Sequence, residues 1–172
     1  MTGENRRDDS ILAPKRKAST YTRRLLIDSR DADPGVYQPF RFTIRLDRDI
    51  SRERYQNIRC VELKLASIPK VADEQYVVLD IQELRDSNLD ASNQTSHESF
   101  AVVYFDNSNL TPGAYKPMDK FFSQKTYFSP PISSIDRLTV TVRKPDGSIV
   151  DVSETGNNHH VSFLLDVSML KQ

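Results

Sequence analysis

Phe40-Arg41-Phe42-Thr43-Ile44-Arg45-Leu46 is the stretch that decides the fold. Every second residue is large and apolar, and every residue between is polar or charged. Strand side chains point alternately to opposite faces, so this segment buries one face and wets the other. A helix would scatter the same four apolar positions around its circumference. Leu138, Val140 and Val142 repeat the pattern against Thr139, Thr141 and Arg143.

Outward from these runs the chain reads as short strands separated by turn residues. Leu25-Leu26-Ile27 stops at Asp28-Ser29-Arg30-Asp31-Ala32-Asp33-Pro34-Gly35. There Asp can bond its own downstream backbone, Pro34 fixes φ and Gly35 permits positive φ. Ile58 to Ser67 alternates with a phase slip at Cys60-Val61, which predicts a bulge, and ends at Ile68-Pro69. Tyr76 to Ile81 and Phe100 to Phe105 are further runs. Thr126-Tyr127-Phe128 is a short one, stopped by Pro130-Pro131. The Leu138 strand meets Lys144-Pro145-Asp146-Gly147, after which Ser148 to Val152 is expected to return as a hairpin. His160 to Val167 is the last strand. Ile50 to Asn57 and Asp80 to Ser87 are the only helix candidates, each a loop or a single turn.

The expected fold is therefore all-β: an antiparallel β-sandwich of about eight strands, with jelly-roll topology as the first choice. Residues 1–21 are expected to be an extended or disordered basic arm, and 22–172 the sandwich domain. Asp86 to Ser99 and Asn107 to Lys125 are long for hairpins and are expected to be exposed loops that carry contacts.

Composition narrows the function. The 172 residues are long enough to bury a core without disulfides. Lys plus Arg equals Asp plus Glu at 24 each, so the whole chain has no field to steer it to nucleic acid. The start is different. Arg6, Arg7, Lys15, Arg16, Lys17, Arg23 and Arg24 face only Glu4, Asp8 and Asp9. This arm has three readings: a segment threading between protein neighbours, a solvated tail, or a contact to phosphate. The first is preferred and nucleic acid is not expected as a partner. About 20 extended residues would span roughly 65 Å. The lone Cys60, in an alternating run, reads as a core thiol. Neither a membrane span nor a signal-type apolar stretch is present, which implies a soluble chain made in the cytosol.

No residue pattern points to catalysis. There is no glycine-rich phosphate loop and no nucleophile elbow. His159 and His160 are adjacent, so a regular strand would send them to opposite faces, and no metal is expected. Asp28, Asp31 and Asp33 resemble part of a calcium loop but lack its glycine and glutamate; turn formation and pairing with Arg30 is the preferred role. Among 24 acids a glycosidase pair stays open, though without Trp the usual sugar platform is reduced. The expectation is a non-enzyme without cofactor. Aromatics concentrate near loops, among them Tyr115, Phe121 and Phe122. They serve either an interface or the closure of the sandwich ends, and both readings stay open.

One family pattern is similar. Leu25-Leu26-Ile27-Asp28-Ser29-Arg30-Asp31, then Pro34, Tyr37 and Pro39-Phe40 through Leu46, resembles the opening of minor capsid proteins of large icosahedral double-stranded DNA viruses of algae and amoebae. Val61-Glu62-Leu63 through Pro69, Tyr76 to Ile81 with Glu83-Leu84, Leu138 to Gly147 and Phe163-Leu164-Leu165 continue the likeness over about residues 25 to 167. The resemblance implies a jelly-roll-like cement or scaffold protein on the inner side of the major capsid lattice. Its partners would be the major capsid protein and other minor capsid proteins, with self-association possible. It would be made in the host cytoplasm and reside in the virion. Asp28, Arg30, Asp31, Pro34, Tyr37 and Phe40 would serve the fold. Arg6, Arg7, Lys15, Arg16, Lys17, Tyr115, Phe121 and Phe122 are interface candidates outside the resemblance. The rival reading is a carbohydrate- or receptor-binding appendage of the same fold.

Overall fold

The computed structural model describes residues 19–33, 38–46, 55–85, 94, 99–105, 111–114 and 125–171. Among the described residues there are eight strands: β1 (Thr20–Asp28), β2 (Arg41–Arg45), β3 (Tyr55–Ser67), β4 (Tyr76–Ile81), β5 (Ala101–Tyr104), β6 (Lys125–Ile135), β7 (Arg137–Arg143) and β8 (Ser162–Leu170). They form two antiparallel four-stranded sheets, ordered β1-β8-β3-β6 and β2-β7-β4-β5.

The pairing follows one rule. β1 lies with β8, β2 with β7, β3 with β6 and β4 with β5. A long antiparallel ribbon wrapped into two sheets gives this order, which is the jelly-roll wrap expected from the sequence. Two further ladders, β3 with β8 and β4 with β7, join the ribbon to itself and complete each sheet.

Alternation supplies the core. Phe42 and Ile44 of β2, Leu138, Val140 and Val142 of β7, and Phe163, Leu165, Val167 and Met169 of β8 all belong to one buried cluster between the sheets. Each fully buried side chain of this size contributes about 1.5–3 kcal/mol relative to an exposed one.

Several expectations need adjusting. β1 begins at Thr20, and Thr20 and Tyr21 pair with Leu170 and Met169. Phe40 is buried in the core but precedes its strand, in a turn at φ 60 with its carbonyl accepting from Val142. β6 does not stop at Pro130-Pro131 but runs through both. It tolerates them because it is an edge strand, and because its register with β3 breaks between Tyr127 and Ile132, leaving the prolines outside regular pairing. Ser148 to Val152 makes no returning strand; a single bridge joins Ile149 to Arg143, and Val152 opens a 3-10 turn. Of the first helix candidate, residues 50–54 lie outside the described residues and Tyr55 to Asn57 is strand; of the second, Asp80 and Ile81 are strand, Gln82–Leu84 forms a 3-10 turn, and residues 86–87 lie outside the described residues. The bulge expected at Cys60 is present as a register shift between Ile58 and Cys60. Among the described residues no helix is long and apolar enough to cross a membrane.

Candidate functional site

The segment from Asp28 to Asp31 is a locked corner. Asp28 ends β1, and a 3-10 turn follows at Ser29–Asp31. The Asp28 carboxylate accepts from the Arg30 backbone N–H at 2.9 Å and from Arg30 Nε at 2.9 Å. Its second oxygen pairs with Arg30 Nη2. These bonds hold the Asp28 carboxyl below its ordinary pKa, against the opposing effect of partial burial. Ser29 does the longer-range work. It is buried, its N–H donates to Val161 O at 2.8 Å, and its Oγ accepts from Val161 N–H at 3.0 Å. The corner is thereby tied to the entry of β8. Asp33 pairs with Arg45 of β2 at 3.1 Å. The three aspartates do not converge on one point, and no cluster of metal-ligating side chains occurs among the described residues.

The outward face of the β2-β7-β4-β5 sheet holds a second charged cluster. Asp80 is 8% exposed and accepts from Arg85 Nε and Nη2, both at 3.0 Å. Arg143, from the neighbouring β7, places Nε 3.7 Å from Asp80 Oδ2. Beside it Glu83 accepts from the backbone N–H of Thr139 at 2.7 Å and from its hydroxyl at 2.9 Å. Tyr76 and Tyr104 pair across the same sheet with ring centroids 5.4 Å apart, and Tyr104 is 58% exposed. Sequence reading missed this cluster, because Arg143 is brought to Asp80 only by the β4-β7 ladder.

The outward face of the other sheet is arranged in rows. Leu26, Leu164 and Leu65 are register neighbours across β1, β8 and β3, and Leu26 is 65% exposed. The next row is charged: Arg24, Asp166, Glu62 and Lys125, with Arg24 at 3.3 Å from Asp166 and Lys125 at 3.7 Å from Glu62. Beyond it Cys60 is aligned with Ser168 and the exposed Tyr127. Cys60 is buried, as the sequence implied, but lies outside the inter-sheet cluster, on the outward side of β3. Burial pushes its thiol pKa up, which keeps it protonated and unreactive.

Arg6, Arg7, Lys15, Arg16, Lys17, Tyr115, Phe121 and Phe122 lie outside the described residues, as do Pro34 and Tyr37. Of the long loop from Asn107 to Lys125, Thr111 to Ala114 is anchored rather than loose. Gly113 at φ +83 donates to Lys70 O at 2.8 Å and accepts from Asn158 Nδ2 at 3.0 Å. A Cβ there would lie 2.3 Å from Thr155 O, so only glycine fits. His159 and His160 precede β8, with rings 4.6 Å apart.

No family model matches the chain, and no curated protein matches it.

Proposed function

We propose that the chain is a structural virion component, a minor capsid protein that lies beneath a major capsid lattice and links neighbouring capsomers. The observation that carries this reading is the exposure of large apolar side chains on both outward faces: Leu26 and Tyr127 on one sheet, Tyr104 on the other. A linking element needs contact surfaces on more than one side, and aromatic anchors are favoured at such surfaces. The jelly-roll wrap supports it as a scaffold used in capsids, although a fold alone does not assign a function. The locked corner at Asp28 to Asp31 falls where the sequence resembles such virion proteins, and its bonds serve architecture. On this reading the chain acts by binding, not by catalysis. Its partners are the major capsid protein and other minor capsid proteins, and repetition around the shell supplies avidity.

Crosslinking of intact particles tests this. The expected result is crosslinks from both sheet faces to capsid proteins. Crosslinks confined to one face, or absence of the chain from washed particles, contradict it. A carbohydrate-binding appendage is the second reading, favoured by the exposed Tyr104 ring beside Tyr76. Specific glycan binding that is lost on Tyr104→Ala would favour that reading over the first.

A further inference from the structure

The four sheet edges are protected unequally. β2 and β5 are short, with residues Arg41–Arg45 and Ala101–Tyr104. β6 is interrupted by Pro130, Pro131 and a break in register. β1 has none of these devices: Thr20–Asp28 is nine residues, without proline or glycine, in unbroken register with β8. A long, regular edge is a template for another strand unless something blunts it.

The direction of its free groups follows from the bonds at its ends. Lys171 N–H donates to Ser19 O, and Ser29 N–H donates to Val161 O. Both pairs belong to the same antiparallel register as Tyr21 with Met169 and Leu25 with Leu165. Odd-numbered residues therefore bond to β8. Even-numbered residues, Thr20, Thr22, Arg24, Leu26 and Asp28, turn their N–H and C=O to the open side. Among the described residues no backbone bond reaches them there.

We infer that β1 is a homotypic docking edge, pairing antiparallel with β1 of a second copy about a twofold axis at Leu26. Charge selects both partner and register. With the axis at Leu26, Arg24 of each copy stands opposite Asp28 of the other, and Leu26 meets Leu26 on the outward face. An axis at Arg24 sets two guanidinium groups against each other, which is destabilising. No other centre along β1 places Arg24 against Asp28. The two four-stranded sheets join into one continuous sheet across the dimer. This inference stands on strand geometry and does not depend on the capsid reading.

The purified full chain tests it by sedimentation equilibrium from micromolar to near-millimolar concentration. A reversible two-copy species is expected. Leu26→Pro removes an N–H that points away from β8, so the intramolecular ladder keeps its bonds while the outer edge loses one. It should raise the dissociation constant at least tenfold, and Arg24→Glu, which faces Asp28 of the second copy, should do the same. Mild oxidation supplies the register. Residues opposed in a bonded pair sit about 5.5 Å apart at Cα, within disulfide range. Leu26→Cys should crosslink to itself and Arg24→Cys should not, with the buried Cys60 left in place. A single-copy mass at every concentration overturns the inference. So does a dimer indifferent to both Leu26→Pro and Arg24→Glu, or equal crosslinking by the two cysteine variants.

Discussion

Asp28 and Asp80 stand in parallel positions and are built for different work. Asp28 is the last residue of β1 and Asp80 the last but one of β4, a single 3-10 turn follows each strand, and each aspartate binds an arginine a few residues downstream. Asp28 binds Arg30, two residues on, whose side chain is 69% exposed, and His160 adds a smaller electrostatic contribution. Asp80 reaches Arg85 and also Arg143 of the adjacent strand, whose side chain is 33% exposed. The first cluster is local and solvent-screened, and it shapes a corner. The second crosses strands and holds a buried carboxylate against the sheet. Removing a carboxylate should cost little in the first case and more in the second.

Asp80→Ala gives the largest expected effect. It leaves two arginines without their shared acceptor, and with both partly exposed the loss is about 2–3 kcal/mol of unfolding free energy. Urea denaturation checks this, and a loss below about 1 kcal/mol would make the two clusters equivalent and break the contrast. Ser29→Ala comes next. It strips the buried Val161 N–H of its acceptor and should cost about 1–2 kcal/mol, more than any other change within the corner. Asp28→Ala loses a cap to the 3-10 turn and should cost about 1 kcal/mol, by analogy with helix N-caps. Its effect should fall on melting and leave contacts to capsid proteins intact, with only the β1-β1 pairing weakened where Asp28 faces Arg24; normal melting with lost capsid assembly would contradict the architectural role. Arg30→Ala is smallest, within about 1 kcal/mol, because the pair is exposed.

Acid titration sharpens the same comparison. The folded Asp28 carboxyl titrates below its ordinary value of about 3.9, so it binds fewer protons in the folded state than in the unfolded one. Its contribution is fully present above that value and disappears as pH falls through the lowered folded value. Stability of the wild type should therefore fall more steeply than that of Asp28→Ala below about pH 4, and the gap between them should close. A gap that stays constant into acid would detach Asp28 from the acid response.

The same contrast explains what the sequence could show. Phe40 to Leu46 and Leu138 to Val142 were legible because alternation is a property of neighbouring residues, and the slip at Cys60-Val61 announced its bulge in the same way. Asp28 and Arg30 were legible as a turn because their bond spans two positions. Ser29 was not, since its partner Val161 lies across the β1-β8 ladder. Asp80 with Arg143 was hidden for the same reason. The prolines of β6 misled because the sequence does not say which strand lies at an edge, and an edge tolerates what an interior strand forbids. The interface candidates in the arm and in Tyr115 to Phe122 were chosen by composition and lie outside the described residues. The exposed Leu26, Tyr104 and Tyr127 were visible as apolar positions in strands, yet alternation alone could not say which would face solvent.

A density map of intact particles tests the linking role most directly. The account predicts an eight-stranded sandwich beneath the capsomers, with Leu26 and Tyr127 against one neighbour and Tyr104 against another. A sandwich touching the shell through one sheet only, or located on the outer surface with both faces in solvent, would contradict it.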